Sequence, residues 1–453
     1  MAEKKDTFPG QFLGGSYPSR VGRFDSQRTV NLYLEVNQST GKVGKDGKPA
    51  VLIGMPGLKQ ITSLGTGPIR AIHTVSNSNT LYVVSGDTVY QTLDLVTWTT
   101  VGVMNTSSGP VSVSDNGIQV VFVDGSFGYY ATLQGTPTLL EITSPHFYAS
   151  DTVTFQDGYF VFNQTATNNY FISDLYSINF LPLNQAGKSG ASDLLIGVIC
   201  NNRILYLLGQ NTIETWWNSG ASGSTPFARQ DGQFCQTGCL APATIRRLFN
   251  TFMWVGHSPE GGGIVYIMEN QQPKRVSNHA VEYSIQNASG DLSKATAYSW
   301  QIEGHYFYVL NVPGLDTTWV YDLSTEQWVE QQANINGITQ RHIAECHAVF
   351  DNTHIVGDHQ TGNIYEYDFN TYTDNGNPIV RMRQTPHVAT SLNTIFYKLL
   401  EIDFTPGTGL ANQVTSPGGR QSNGNIVAIS VGTINPGDAI YLNADGTVSR
   451  WPL

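Results

Sequence analysis

The chain repeats one short pattern of β-strands. In residues 193–220, two apolar runs and one aromatic run follow one another, separated by tight turns that contain Asn or Gly. Asn and Gly accept a positive φ at little cost, as two-residue hairpin turns require, so the pattern predicts a meander of three antiparallel strands. One meander cannot bury both of its faces. Further copies must therefore stack on it.

Such copies begin at residue 69. Seven copies align on one residue of the second strand, at Tyr82, Val120, Phe160, Leu205, Met253, Phe307 and Ile355. Neighbouring aligned positions are 38 to 54 residues apart. A repeat of about 40 to 50 residues made of short strands is typical of a β-propeller blade. Several copies continue into a fourth strand, at residues 95–103, 137–143 and 327–331.

The repeats predict an all-β protein, a β-propeller of six or seven blades with about four antiparallel strands in each. The number of blades remains open, because lead-in strands before residue 69 could complete the last blade and one copy could be an insertion. We expect an extended N-terminal arm at 1–28, the propeller with its lead-in strands at 29–374, and a small C-terminal β-domain or extension at 375–453. An arm of this kind often docks on a neighbouring subunit.

Composition agrees with this fold class. Charged residues make up only 13% of the chain, beside 46 Gly and 20 Pro, which favours short strands and turns over long helices. The net charge is −11 and the 24 basic residues are scattered. Tight nucleic-acid binding needs a basic face, so this composition disfavours it. We expect synthesis in the cytosol and no membrane span, since no signal peptide or sufficiently long apolar run is present.

The four cysteines are too few for a disulfide scaffold. We expect them to be buried free thiols. They are Cys200, Cys235, Cys239 and Cys346.

Two stretches approach the Asp box of sialidase-type propellers. Residues 92–98 keep Asp94 and Trp98 but lack the Ser and the Gly of the motif, while residues 322–328 keep only an acidic residue and the Trp. We interpret each as a turn followed by a packed outer-strand Trp.

Trp216 and Trp217 follow one another in the third strand of the opening pattern. Strand alternation sends them to opposite faces, where we expect each to pack against a neighbouring blade. Replacing either by Ala is therefore predicted to cost about 3 to 5 kcal/mol of stability. Packing explains the pair better than a sugar site built with Glu214.

Glycoside hydrolysis needs two carboxylates at a defined separation. The acidic residues that could supply them occupy unrelated blade positions, and no spacing selects a pair. They are Glu214, Glu282, Glu303, Asp316, Glu345, Asp351 and Asp358.

Potential metal ligands are densest in residues 341–359, which contain His342, Cys346, His347, His354, Asp358 and His359. Strand alternation sends Cys346 and His347 to opposite faces, and the spacing matches no zinc motif. We interpret these histidines as solvated or hydrogen-bonded. No nucleophile elbow, dinucleotide fingerprint or P-loop occurs in the chain. The sequence therefore predicts no enzyme and assigns no catalytic residue, cofactor-binding residue, cofactor or metal ligand.

Five stretches, taken in order, resemble the packaged-DNA stabilisation proteins of short-tailed bacteriophages, also called tail hub or nozzle proteins. They are TVNLYLEV, GMPGLKQI, YFISDL, IGVICNNRILYLLGQNTIETWWNSG, and VYIM after a Gly-rich turn. The resemblance runs from about residue 30 to about residue 404, and the fourth stretch is its most specific piece.

This resemblance implies a structural virion protein that forms a sixfold ring with copies of itself below the portal and adaptor rings. The ring would extend the DNA channel, help to retain packaged DNA and conduct it during ejection. The implied partners are the head-to-tail adaptor protein, a tail needle, plug or tip protein, and tail fibres or spikes. Genomic DNA would pass through the lumen without sequence-specific binding. The implied location is the virion tail, after assembly in the host bacterial cytoplasm.

Two other functions stay open from the residues alone. One is a carbohydrate-binding or carbohydrate-processing propeller of a tail, and the other is a generic propeller scaffold for protein partners.

Overall fold

The computed structural model describes residues 12–20, 26–37, 50–221, 225–258 and 261–385, together with the backbone of five short strands beyond residue 400. Four strands precede the repeats. They are β1 (Arg28–Val30), β2 (Leu32–Val36), β3 (Ala50–Gly54) and β4 (Gly57–Ser63). Seven meanders follow, which we number blades 1 to 7 in chain order.

Blades 1 to 4 each consist of four consecutive antiparallel strands. Blade 1 contains β5 (Ile69–Thr74), β6 (Leu81–Ser85), β7 (Thr88–Thr92) and β8 (Trp98–Val103). Blade 2 contains β9 (Ser112–Asp115), β10 (Gln119–Val123), β11 (Gly128–Thr132) and β12 (Leu140–Glu141). Blade 3 contains β13 (Val153–Gln156), β14 (Tyr159–Asn163), β15 (Asn169–Ile172) and β16 (Gln185–Gly187). Blade 4 contains β17 (Leu195–Asn201), β18 (Ile204–Gly209), β19 (Ile213–Asn218) and β20 (Phe227–Cys235).

Blades 5 to 7 carry additions. Blade 5 contains β21 (Gly238–Cys239), β22 (Arg246–Leu248), β23 (Thr251–Ser258), β24 (Gly261–Glu269) and β25 (Gln272–Arg275), with the helix α1 (His279–Gln286) after it. Short 3₁₀ helices occur at Pro242–Thr244 and Leu292–Lys294. Blade 6 contains β26 (Thr296–Ile302), β27 (His305–Asn311), β28 (Thr318–Asp322) and β29 (Gln327–Ile335), and β30 (Ile338–Arg341) forms a hairpin with β29. Blade 7 begins with β31 (Ala344–Phe350), β32 (Thr353–Asp358) and β33 (Asn363–Asp368).

The fourth strand of blade 7 comes from the start of the chain. Strand β4 pairs antiparallel with β33, from Gly57 opposite Asp368 to Ser63 opposite Asn363. A Cβ at Gly57 would lie 2.2 Å from the carbonyl oxygen of Thr371, so this strand end needs glycine. The lead-in strand thus completes the last blade and settles the number of blades at seven.

Seven apolar clusters fill the spaces between neighbouring blades. Each cluster takes residues from two adjacent blades, as where Val84 of blade 1 meets Phe122 of blade 2. The last joins blade 7 to blade 1, with Ile355 beside Ile69. Because both faces of every blade are covered, the described part of the chain forms a closed ring. The predicted all-β propeller is confirmed.

Local sequence explains the hairpins. Asn202 and Arg203, between β17 and β18, have φ values of 51° and 63°, as a two-residue turn with a positive φ at both central positions requires. The oxygen of Arg203 accepts a hydrogen bond of 2.7 Å from the side chain of Gln156 in blade 3. The turn therefore also ties two blades together.

Three short strands follow blade 7: β34 (Thr373–Asp374), β35 (Asn377–Pro378) and β36 (Met382–Gln384). Strand β34 pairs with β4, and β36 pairs with β1, so residues 373–384 remain on the propeller. Farther on, the described backbone contains β37 (Glu401–Ile402), β38 (Ile426–Val427), β39 (Ile429–Ser430), β40 (Ile440–Leu442) and β41 (Thr447–Arg450). The rest of 386–453 lies outside the described residues, so the C-terminal β-domain and the predicted domain boundaries stay predictions.

Candidate assembly surfaces

The outer edge of blade 6 holds the segment that precedes the blades and the segment that follows them. Strand β1 lies between β29 and β36, parallel to the first and antiparallel to the second. Residues 28–36 form two strands, β1 and β2, which are separated at Asn31, whose φ is 55°. Its side-chain amide donates to the carbonyl oxygens of Gln332 at 2.9 Å and Val380 at 2.8 Å. Its amide oxygen accepts the N–H of Gln332 at 2.9 Å, so one buried side chain joins three segments.

Arg383 on β36 fastens the N-terminal arm to this edge. Its guanidinium donates to several oxygens, among them those of Phe12 (2.5 Å), Gly15 (3.0 Å), the Thr29 hydroxyl (2.8 Å) and the Gln27 side chain (2.7 Å). Burial lowers the pKa of this guanidinium to about 10, which still leaves it charged at neutral pH. Residues 12–20 of the predicted arm therefore lie on their own blade 6.

A second bond at this edge is ionic. The Nε of Arg28 donates to Glu330 on β29 at 2.9 Å, and Nη2 of Arg28 contacts the second oxygen of the same carboxylate. Glu330 is buried, and a bidentate pair satisfies both of its oxygens.

Asp374 lies in the segment that crosses β4. It is buried, and burial raises its pKa to about 7. Its Oδ1 has no hydrogen-bond partner among the described residues. Arg381 is the nearby cation, and its own guanidinium donates to the oxygen of Met55 at 3.0 Å and lies over the ring of Tyr372.

Basic residues are missing from a long part of the ring. Residues 71–187, which span blade 1 from its third residue to the end of blade 3, contain no Lys or Arg and eight Asp or Glu. At the average frequency of this chain, a stretch of that length would hold about six basic residues. Asp87, Asp94 and Glu141 are exposed. This sector, which we call cation-free, offers no Lys or Arg side chain that could form an ion pair with a phosphate group.

One loop in this sector exposes several apolar side chains. The turn between the third and fourth strands of blade 3, residues 173–184, forms what we call the blade 3 loop. Its exposed apolar residues are Leu175, Tyr176, Leu181 and Leu183. The loop is held in shape, because Phe180 is buried in the core and Asn184 donates to Asp174 at 2.9 Å. Exposed apolar side chains on a loop of fixed shape make this loop a candidate interaction site.

The carboxylates considered for glycoside hydrolysis are engaged elsewhere. Buried Glu214 accepts the indole N–H of Trp216 at 3.0 Å, and Glu282 pairs with Arg275. Glu345 accepts the Thr296 hydroxyl at 2.7 Å. Asp358 accepts the backbone N–H of Gln360 at 2.7 Å. Glu303 and Asp351 lie in the tight turns that follow β26 and β31, and Asp316 lies between β27 and β28.

The histidine-rich stretch divides between the two sides of blade 7. Cys346 faces blade 1, with its Sγ 3.9 Å from the oxygen of Ile69, whereas His347 stacks near Tyr298 of blade 6. His347 and His354 share a hydrogen bond of 3.0 Å. Burial lowers the pKa of His342 and of His347 to about 3, so both are neutral. The described residues contain no group of three or more potential metal ligands.

The two stretches that approach the Asp box form turns. Asp94 accepts the backbone N–H groups of Val96 at 2.9 Å and Thr97 at 2.7 Å. Asp322 likewise accepts the N–H of Ser324 at 2.9 Å. The tryptophans that follow are Trp98, which is half-buried against the core, and Trp328, which is buried. The interpretation as turn and packed Trp is confirmed.

The prediction for the adjacent tryptophans is half wrong. Trp216 is 8% exposed and packs edge-on against Tyr170 of blade 3. Trp217 is 49% exposed and belongs to no apolar cluster of the described residues. It is the second-last residue of β19, where the buried residues of the strand have ended. Its substitution should therefore cost far less than the predicted 3 to 5 kcal/mol.

All four cysteines are free thiols, and all but the partly buried Cys346 are buried. Burial raises the pKa of Cys239 to about 12 and that of Cys200 to about 11, so neither forms a reactive thiolate at neutral pH. The described helices include none that is long and apolar enough to cross a membrane.

Comparison with known proteins finds one family. The family described as "Bacteriophage P22 Gp10, beta-propeller", a group of phage stabilisation proteins, matches residues 11–372. No curated protein matches the chain. Among solved structures, the computationally designed Ika8 protein has 12% identity and a TM-score of 0.41, covering 68% of this chain and 99% of its own. The N-terminal domain of Nup159 has 12% identity and a TM-score of 0.44, covering 78% of this chain and 98% of its own.

Proposed function

The chain belongs to the bacteriophage P22 Gp10 β-propeller family, and from this membership we propose that it is the tail hub or nozzle subunit of a short-tailed phage. The family is one of structural phage proteins, located in the virion. The proposal adds that copies of the chain form a sixfold ring below the head-to-tail adaptor, which extends the DNA channel. The observation that carries it is the family match over residues 11–372.

The mechanism we propose is mechanical. A closed seven-bladed ring is a rigid block, because every blade is covered on both faces. The segments that flank the blades are fastened to blade 6 through Asn31 and Arg383, so they can transmit force between subunits without unfolding a blade. A tail tube under the pressure of packaged DNA needs subunits of this kind.

The electrostatic part of the proposal concerns DNA. Each Lys or Arg that meets a phosphate group adds affinity by releasing a counterion and would hold the duplex back. Blades 1 and 2 contain no basic residue apart from buried Arg70 at their first strand. We assign the side of the ring that faces the DNA to these two blades. Because the acidic side chains of these blades repel the phosphate groups, the duplex does not adhere to the channel wall. A plug would hold the DNA in place, and the DNA would slide out once the plug leaves.

The partners belong to the same proposal. We expect an adaptor protein above the ring, a needle, plug or tip protein below it, and fibres or spikes at its side. Assembly is expected in the host cytoplasm before the particle is released. Genomic DNA would be in transit only, without sequence-specific contacts.

Assembly on the adaptor tests the proposal. Purified protein mixed with its cognate adaptor ring should give sixfold rings by electron microscopy, and particles lacking the protein should lose packaged DNA. An absence of rings on the adaptor, with DNA retained in particles that lack the protein, would overturn it.

Charge reversal tests the DNA-facing side. Particles carrying Glu141→Lys in blade 2 should eject DNA more slowly than normal, because the new cation meets phosphates, and the effect should fade at high salt. Asp316→Lys in blade 6 is the matched control, since Asp316 is also exposed but lies on another side of the ring. Equal ejection rates for the two variants would contradict the assignment to blades 1 and 2.

A further inference from the structure

We infer that the arm of one copy docks on the blade 3 loop of the next copy, so that the ring closes head to tail through these two surfaces. This inference rests on the proposed function and names the contact that assembly would use. The arm contributes Phe12 and Leu13, and the blade 3 loop contributes its four exposed apolar residues, Leu175, Tyr176, Leu181 and Leu183.

The two surfaces lie at the same end of the propeller. The blade 3 loop connects the third and fourth strands of its blade, and the corresponding turn of blade 6 lies directly before β29. The arm meets β29 at its start, where the N–H of Ser16 donates to the oxygen of Trp328 at 2.6 Å. Both surfaces are therefore at the outer perimeter and at one end of the ring.

They also lie on different sides of the subunit. Seven blades divide the circle into steps of about 51°, so blades 3 and 6 are about 150° apart. A closed ring of identical subunits needs two different contact surfaces, each of which meets the other surface on a neighbour. In a sixfold ring the directions from a subunit to its two neighbours are about 120° apart, which extended surfaces on blades 3 and 6 can reach.

The chemistry of the two surfaces is complementary. Phe12 and Leu13 are half-exposed, although their backbone is fixed through Arg383, so these side chains are presented to the outside. In the described part of the arm, residues 12–20, Arg20 is exposed and no acidic residue occurs, while the sector that carries the blade 3 loop contains no Lys or Arg. Apolar contact at the centre with opposite charge around it is the usual anatomy of a specific interface.

The contact leaves the DNA-facing side free. With neighbours at blades 3 and 6, the axis of the assembly is faced either by blades 4 and 5 or by blades 7, 1 and 2. Blades 4 and 5 carry exposed Arg203, Arg229 and Lys274. In the strands of blades 7, 1 and 2 the exposed cation is Lys59, on the outer strand of blade 7, so this side comes closer to the requirement for sliding DNA. The same arrangement therefore satisfies both the interface and the lumen.

Disulfide trapping tests the contact in assembled rings on the adaptor. The double variant with Phe12→Cys and Leu183→Cys should give a ladder of covalent multimers on a non-reducing gel after mild oxidation, because every copy contributes one half of each contact. Phe12→Cys with Leu93→Cys is the matched control, since exposed Leu93 occupies the corresponding turn of blade 1. It should give no ladder. Rings that form normally but yield no ladder for the first pair, or equal ladders for both pairs, would overturn the inference while leaving the proposed function intact.

A second variant does not depend on new cysteines. Leu181→Asp with Leu183→Asp places two charges on the patch at exposed positions, so the monomer should melt as before. We expect ring formation at a fixed concentration to fall about tenfold or more. Unchanged ring formation would overturn the inference. So would normal ring formation accompanied by a loss of fibre, spike or tip binding, because the loop would then dock a different protein.

Discussion

The side-chain amide of Asn31 donates a hydrogen bond of 2.8 Å to the backbone oxygen of Val380, 349 residues later in the chain. The same side chain exchanges two hydrogen bonds with Gln332 of blade 6. The start and the end of the propeller are thus joined at two places. Strand β4 completes blade 7, and Asn31 joins the flanking segments at the edge of blade 6. The second closure joins the arm, the ring and the segment that leads to the C-terminal region.

Asn31→Ala should lower the free energy of unfolding by about 2 to 4 kcal/mol, since it removes three buried hydrogen bonds and places Ala at a positive φ. Urea unfolding followed by tryptophan fluorescence measures the loss. Asn31→Gly separates the causes, because Gly accepts the backbone geometry and loses only the hydrogen bonds. Asn79→Ala, at an exposed turn, is the control and should stay within about 0.5 kcal/mol of the parent. Equal stability of Asn31→Ala and the parent would refute the role of this residue.

Trp216→Ala should cost about 3 to 5 kcal/mol, because the indole fills the space between blades 3 and 4 and its N–H binds buried Glu214. Trp217→Ala should cost less than about 1 kcal/mol, since half of its surface is already in water. Chemical denaturation of the two variants in parallel measures the difference. Similar losses of stability at both positions would show that both tryptophans pack against neighbouring blades, as strand alternation alone predicts.

Arg383→Ala should free the N-terminal arm without unfolding the propeller, because its guanidinium supplies the hydrogen bonds that hold Phe12, Gly15 and Thr29. Limited trypsin digestion should then cleave after exposed Arg20 about tenfold faster, with little change in the melting temperature. Lys59→Ala is the control, since exposed Lys59 pairs with Glu366 in blade 7 and not with the arm. Cleavage at the parental rate would show that other contacts hold the arm.

Local chemistry made the blades predictable. Turn residues such as Asn202 and the period of the apolar runs specify each hairpin within about 25 residues, and all seven aligned positions are buried second-strand residues of the seven blades. The ring closure depends on pairing Gly57 with Asp368, and no local pattern distinguishes that partner from the other edge strands. Trp217 was misjudged because alternation gives the face of a strand but not where the neighbouring blade ends. Asn31 and Arg383 belong to no sequence motif. A side chain that joins distant segments can be recognised only when the structure shows which segments lie together.

Asp374 makes the stability of the folded protein depend on pH. Burial raises its folded pKa to about 7, above the ordinary value of 3.8, so the folded protein keeps a proton that the unfolded chain releases. The contribution of this group is therefore fully favourable below about pH 4 and is lost as the pH rises to about 7, by up to about 1.4 kcal/mol per pH unit. Asp374→Asn, which is neutral at every pH, should remove this slope, so its stability relative to the parent should rise between pH 5 and pH 7.5. Urea unfolding at both values measures the change, and a constant difference between the two proteins would show that Asp374 is already ionised in the folded state at pH 5.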